Sequence, residues 1–145
     1  MKPLLFTLLL TVSTGMALDH GVKSERAVTV GSLDIAPVWA AHPVGFTLLT
    51  HKPFQFVAFY DDKRQLTVAR RELNGRNWQF TKLRVTTGWD SHNYITMTVD
   101  DGGFLHLSGD MHCVPLKYFR TTKPLDPATF ERVDKMTGAE ENRTT

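Results

Sequence analysis

A single cysteine, Cys113, stands in a chain of 145 residues. An internal disulfide framework is therefore excluded, and so is a zinc site built on several thiolates. Charge of one sign is scarcely in excess: 17 Lys and Arg face 15 Asp and Glu, a net of +2. That field is too weak to argue for a nucleic-acid partner, although a pI of about 8.8 leaves room for a local basic patch. No Gly-x-Ser-x-Gly elbow and no phosphate-binding glycine loop occur, and Cys113 lacks the flanks of a cysteine nucleophile. Apolar runs long enough to span a bilayer are missing too. What remains is a chain with 41% hydrophobic and 22% charged residues, whose length and composition predict one globular domain.

The first residues read as a targeting segment. Lys2 supplies a positive start, residues 3–12 form a short apolar run, and Gly15-Met16-Ala17 offers small residues where a signal peptidase reads. Residues 1–17 are expected to be a signal peptide and the mature protein to be secreted or periplasmic, with no membrane association after cleavage. Residues 18–43 follow as an N-terminal segment.

Beyond residue 20 no strong helical period appears. Short apolar runs rich in Phe, Val, Leu, Tyr and Thr predict strands near 46–50, 54–60, 66–73 and 78–83, then near 94–99, 104–109, 116–121 and 130–133. Turn signals separate them: His51-Lys52-Pro53, Asp61-Asp62-Lys63, Asn74-Gly75, Asp100-Asp101-Gly102-Gly103 and Lys123-Pro124. The fold class is all-β and antiparallel. The two sets also repeat. At an offset of 49, Phe46 meets Ile95, Phe56 meets Leu105 and Asp61 meets Asp110; one inserted residue then makes Arg70 meet Arg120 and Phe80 meet Phe130. Four strands at a period of about 50 residues is the period of a β-propeller blade.

The expected units are residues 44–88 and 89–138, with a polar tail at 139–145. Propellers close with about four to eight blades, so two blades leave open edges and uncovered faces. Three outcomes stay open: a piece of a larger propeller, self-association through the open edges, or a small sandwich.

The densest polar clusters are Trp89-Asp90-Ser91-His92-Asn93-Tyr94 and Ser108-Gly109-Asp110-Met111-His112-Cys113. His92 precedes the first strand of the second unit and His112 follows its second strand. An antiparallel hairpin sets the start of one strand beside the end of the next, so both imidazoles are expected at one rim of the sheet. Such a pair suits proton transfer near neutral pH. Taken one at a time, each ring could equally cap a turn. His112 and Cys113 are neighbours on extended backbone and point to opposite faces, so no metal is expected, and no cofactor. His106 reads as a packed histidine. Asp61 and Asp110 read as turn caps. Arg70 and Arg120 read as structural, with Arg120 the one that could face an anion. Trp39 and Trp78 read as blade core, while Trp89, beside the histidines, is a candidate platform for sugar.

The segments Asp90-Ser91-His92-Asn93-Tyr94-Ile95, Asp101-Gly102-Gly103-Phe104-Leu105-His106, Asp110-Met111-His112 and Pro115-Leu116-Lys117-Tyr118-Phe119-Arg120 resemble one family, over about residues 38–138. They are similar to the BNR-repeat-containing proteins that include the ulvan lyases, secreted polysaccharide lyases built as seven-bladed propellers. The aspartate box of sialidases is not evident. The resemblance implies β-elimination at uronic acid residues of an anionic polysaccharide, in which a base removes the C5 proton, the carboxylate charge is neutralised and an acid protonates the leaving oxygen. It implies that His92 and His112 match two active-site histidines. Trp89, Asn93, Tyr94 and Arg120 are the candidate substrate contacts. The tyrosine and arginine that the family takes from later blades have no match, so the chain reads as the N-terminal two blades of such a lyase, weak or inactive alone. The alternative is a non-catalytic module in which Trp89, Tyr94 and Tyr118 stack on sugar and Arg120 holds an anionic group.

Overall fold

A computed structural model of the chain describes residues 31–40 and 45–137. The expected signal peptide at 1–17 and the tail at 139–145 lie outside the described residues. The described residues fall almost wholly in one compact unit, Leu33–Thr145. Among them, no helix is long and apolar enough to cross a membrane.

Eight strands form two sheets. The first holds β1 (Thr47–His51), β2 (Phe54–Tyr60), β3 (Gln65–Glu72) and β4 (Gln79–Thr86), hydrogen-bonded in chain order. The second holds β5 (Thr96–Val99), β6 (Leu105–Ser108), β7 (Tyr118–Thr121) and β8 (Phe130–Val133), also in chain order. Every neighbouring pair is antiparallel. Each sheet is a four-stranded meander, and a short 3-10 helix at Pro127–Thr129 leads into β8.

The turns form where turn residues cluster. Asp61 Oδ1 accepts the backbone N–H groups of Lys63 and Gln65, each at 2.9 Å, and so closes the β2–β3 turn. Asp100 Oδ1 accepts the N–H of Phe104 at 2.8 Å and closes the β5–β6 turn. Gly103 takes φ of +80° there. It is the residue type that adopts this conformation without a Cβ penalty.

The period of two decides the packing. Phe56, Ala58, Tyr60, Leu66 and Val68 point from the first sheet to the second, which returns Ile95, Met97, Leu105, Leu107 and Phe119. Leu105 and Leu107 are at most 1% exposed. Each such side chain stabilises the fold by about 1.5–3 kcal/mol. The alternate residues Val57, Phe59 and Ala69 face away, under Ile35, Ala36 and Trp78. The second sheet has no such cover among the described residues: its far face presents Thr96, Thr98 and Arg120 to solvent.

The strand expected at 78–83 runs instead over Gln79–Thr86. The pairing of β3 with β4 shifts between Gln65 and Thr67, and Gln65 Nε2 donates to the Leu83 carbonyl at 3.0 Å. Leu83 and Val85, two residues apart on β4, share one face and both reach the core.

The repeat is visible in side chains as well as in strand order. The Arg70 guanidinium lies 4.8 Å over the Phe54 ring, and that of Arg120 lies 4.5 Å over Phe104. The two arginines that the repeat aligns thus each cover a phenylalanine of their own sheet.

Candidate functional site

The loop 87–95 enters the second sheet and the loop 109–117 joins β6 to β7. Because β5 and β6 are antiparallel with Thr96 opposite Ser108, both loops rise from one end of the sheet. His92 and His112 meet there, with ring centroids 4.4 Å apart and planes inclined at 41°.

Asp90 organises the pair. Its Oδ1 accepts the His92 backbone N–H at 2.8 Å and the His92 Nδ1–H at 2.7 Å. Its Oδ2 accepts Nδ1–H of His112 from the other loop. The bonds from His112 first, then from the backbone and ring of His92, hold the Asp90 carboxyl well below the usual carboxylate range against a small opposing effect of burial. An ionised carboxylate only accepts hydrogen bonds. Both Nδ1 atoms must therefore carry hydrogen, and in the neutral rings both Nε2 atoms keep a lone pair. Among the described residues neither Nε2 has a hydrogen-bond partner. The His92 side chain is 60% exposed and that of His112 is 36% exposed, so a ligand can reach both.

The first sheet supports this rim from beneath. Asn93, 4% exposed, donates from Nδ2 to the Thr87 hydroxyl at 2.5 Å. Thr87 in turn bonds Tyr60, whose phenol accepts the Asp110 N–H at 2.6 Å. Burial pushes the Tyr60 phenol up to about 12, outweighing those two hydrogen bonds. A Cβ on Gly109 would stand 3.2 Å from that phenol oxygen, so the loop approaches Tyr60 as closely as it does because residue 109 is glycine. Lys117 pairs with Asp110 and donates its N–H to Met111 Sδ at 3.3 Å.

The other candidates divide. Trp89 and Tyr94 flank the pair in sequence and are 69% and 62% exposed, with Trp39 edge-on to Trp89 at 5.7 Å. Asn93 sits behind the rim on Thr87. Arg120 is not brought to the pair: it donates to Asp100 Oδ2 at 3.2 Å, at the turn end of the same sheet. Tyr118 is 7% exposed and donates to His106 Nδ1 at 2.5 Å. His106 Nε2–H donates to Asp100 Oδ2 at 3.0 Å. His106 is thus packed, as its sequence position implies, and bonded through both nitrogens. Asp61 caps its turn as expected, whereas Asp110 engages Lys117. Asp90 was not among the sequence-derived site residues. Its signal was present in Asp90-Ser91-His92, a spacing at which an Asp side chain closes a turn on the N–H two residues on.

An apolar hollow of about 400 Å³ on the far face of the first sheet, between Ile35, Val38, Phe46, Leu48, Val57 and Phe59, carries no histidine. Among the described residues, the Asp90, His92 and His112 side chains also form a group whose ligand atoms could hold a metal ion, all lying within 4.8 Å of one another.

Successive four-stranded antiparallel meanders, packed face to face with polar loops gathered at one rim, define a repeat protein built from units of propeller-blade type. The chain belongs to the BNR repeat-containing family, whose pattern matches residues 54–145. No curated protein matches it.

Proposed function

We propose that the protein is a secreted relative of the ulvan-type polysaccharide lyases and that its reaction is β-elimination at uronic acid residues of an anionic polysaccharide. The observation that carries this reading is the Asp90 carboxylate shared by two imidazoles whose Nε2 atoms have no hydrogen-bond partner among the described residues. In such a reaction the Nε2 of one ring takes the C5 proton. The C5–H electrons form the C4=C5 double bond as the C4–O bond breaks, and the second ring, protonated, gives its proton to the departing oxygen. Asp90 stabilises whichever ring is cationic and keeps Nε2 turned to the substrate, the role a carboxylate plays behind a catalytic histidine. The exposed Trp89 and Tyr94 offer faces for stacking on sugar.

The test is incubation of the full chain with ulvan while following the absorbance of unsaturated uronate. Slow release that disappears in His112→Ala is expected. Release that survives His112→Ala overturns the assignment.

The exposure of Trp89 and Tyr94 also favours a second reading, a carbohydrate-binding module without turnover. Tryptophan fluorescence titrated with acidic polysaccharide separates the two: quenching without unsaturated product supports binding alone. Tyr118 has no part in this second reading, because its ring is buried and its hydroxyl engaged by His106.

A further inference from the structure

We propose that Asp90, His92 and His112 form a binding site for one divalent transition-metal ion, with one carboxylate oxygen and one ring nitrogen from each histidine as ligands. Their ligand atoms already converge, all within 4.8 Å of one another. Each histidine also already bonds the carboxylate, His92 Nδ1 to Asp90 Oδ1 at 2.7 Å and His112 Nδ1 to Asp90 Oδ2. The protons in those bonds occupy the place a cation would take, so binding exchanges them for the metal and releases them to solvent. Two imidazoles and a carboxylate are the donor set of open metal sites, in which water or a ligand fills the remaining positions. Imidazole and carboxylate ligands of this kind favour zinc and the later first-row divalent ions over calcium or magnesium, which take oxygen. The site is open to entry, since the two histidines are 60% and 36% exposed. It is also anchored, since His92 is tied to Asp90 through its backbone N–H at 2.8 Å and the adjacent Asn93 is held by Thr87.

Metal occupancy bears on the reaction only if the proton-transfer reading above holds. A ring nitrogen that coordinates a cation cannot carry the proton the carboxylate needs, and the tautomer that presents Nε2 as a base is lost. Zinc is then expected to silence turnover and a chelator to restore it.

The experiment is calorimetric titration of the full chain with zinc chloride in two buffers of different ionisation enthalpy, followed by cobalt(II) absorption spectroscopy. One ion per chain, proton release on binding and a cobalt spectrum of a nitrogen- and oxygen-ligated ion are expected. Each of His92→Ala, His112→Ala and Asp90→Ala is expected to weaken binding by at least about tenfold. His106→Ala is expected to leave it unchanged, and circular dichroism checks that each variant keeps its strands. No binding, or binding undiminished in the His92→Ala/His112→Ala double variant, overturns the proposal, as does an equal loss in His106→Ala. Stoichiometric binding in a chain that gives no product from ulvan supports the metal site and counts against the lyase reading alone.

Discussion

The second sheet carries a histidine–aspartate cluster at each end, and the two differ in one respect that decides their chemistry. At the turn end His106 accepts from Tyr118 through Nδ1 and donates to Asp100 through Nε2. Arg120 then takes the same Asp100 oxygen and lies over Phe104. Every polar position on that ring is used, and the cluster ties β5, β6 and β7 together. At the loop end Asp90 takes one nitrogen from each of two rings, and the other has no hydrogen-bond partner among the described residues. The same residue types thus make a structural tie in one place and, in the proposed function, a reactive pair in the other. Both aspartates are held low by their histidines, so a shifted carboxyl alone does not separate them. The count of unused ring nitrogens does.

Substitutions that swap these roles give the sharpest tests. His112→Ala removes one of the two proposed proton carriers, and turnover on ulvan is expected to fall by about 10²–10⁴-fold. Asp90→Asn leaves one acceptor oxygen and adds a donor. Only one ring then keeps its Nδ1–H bond, and turnover is expected to drop by about 10–100-fold with little change in stability. Equal turnover in Asp90→Asn and the parent would erase the distinction drawn between the two clusters.

His106→Ala is the opposite case. It strands the buried Tyr118 hydroxyl, so denaturant unfolding is expected to show a loss of about 1–3 kcal/mol while turnover stays near that of the parent. Tyr118→Phe removes a single donor and is expected to cost about 1 kcal/mol. A fall in turnover as large as that of His112→Ala, in either variant, would make the turn-end cluster part of the reaction.

Acid gives the smallest effect. The bond from His106, then those from the Phe104 N–H and Arg120, bring Asp100 to about 2 from an ordinary 3.8. A depressed carboxyl stabilises the fold above its ordinary value and ceases to do so as the pH falls towards the folded value. The melting temperature is therefore expected to decline between about pH 4 and pH 2. Asp100→Asn should flatten that decline, and a profile unchanged by the substitution would remove Asp100 from the tie.

Much of the fold was legible before any coordinates. The continuous apolar run Phe56–Tyr60, the alternation in Leu105–Ser108, the Asp and Gly turns between runs and the offset near 50 residues together specify two four-stranded meanders. The meeting of His92 and His112 also follows from sequence, because an antiparallel hairpin places the entry of one strand beside the exit of the next. Less legible was what each ring would bond. Arg120 could be read as facing an anion, yet its rung opposite His106 aims it at Asp100. Asn93 could be read as a substrate contact, yet its amide is turned inward to Thr87.

By itself the sequence determined the strands, their order, the repeat and the rim on which the polar loops gather, because these depend on a period of two and on turn chemistry, both of which are local. Only the tertiary structure decided that Asp90 serves two rings at once, that His106 has no nitrogen to spare and that Tyr60 of the first sheet props the loop of the second. Those outcomes depend on distances between residues about 12 to 50 positions apart, and such distances exist only once the strands have paired and, for Tyr60, once the two sheets have packed.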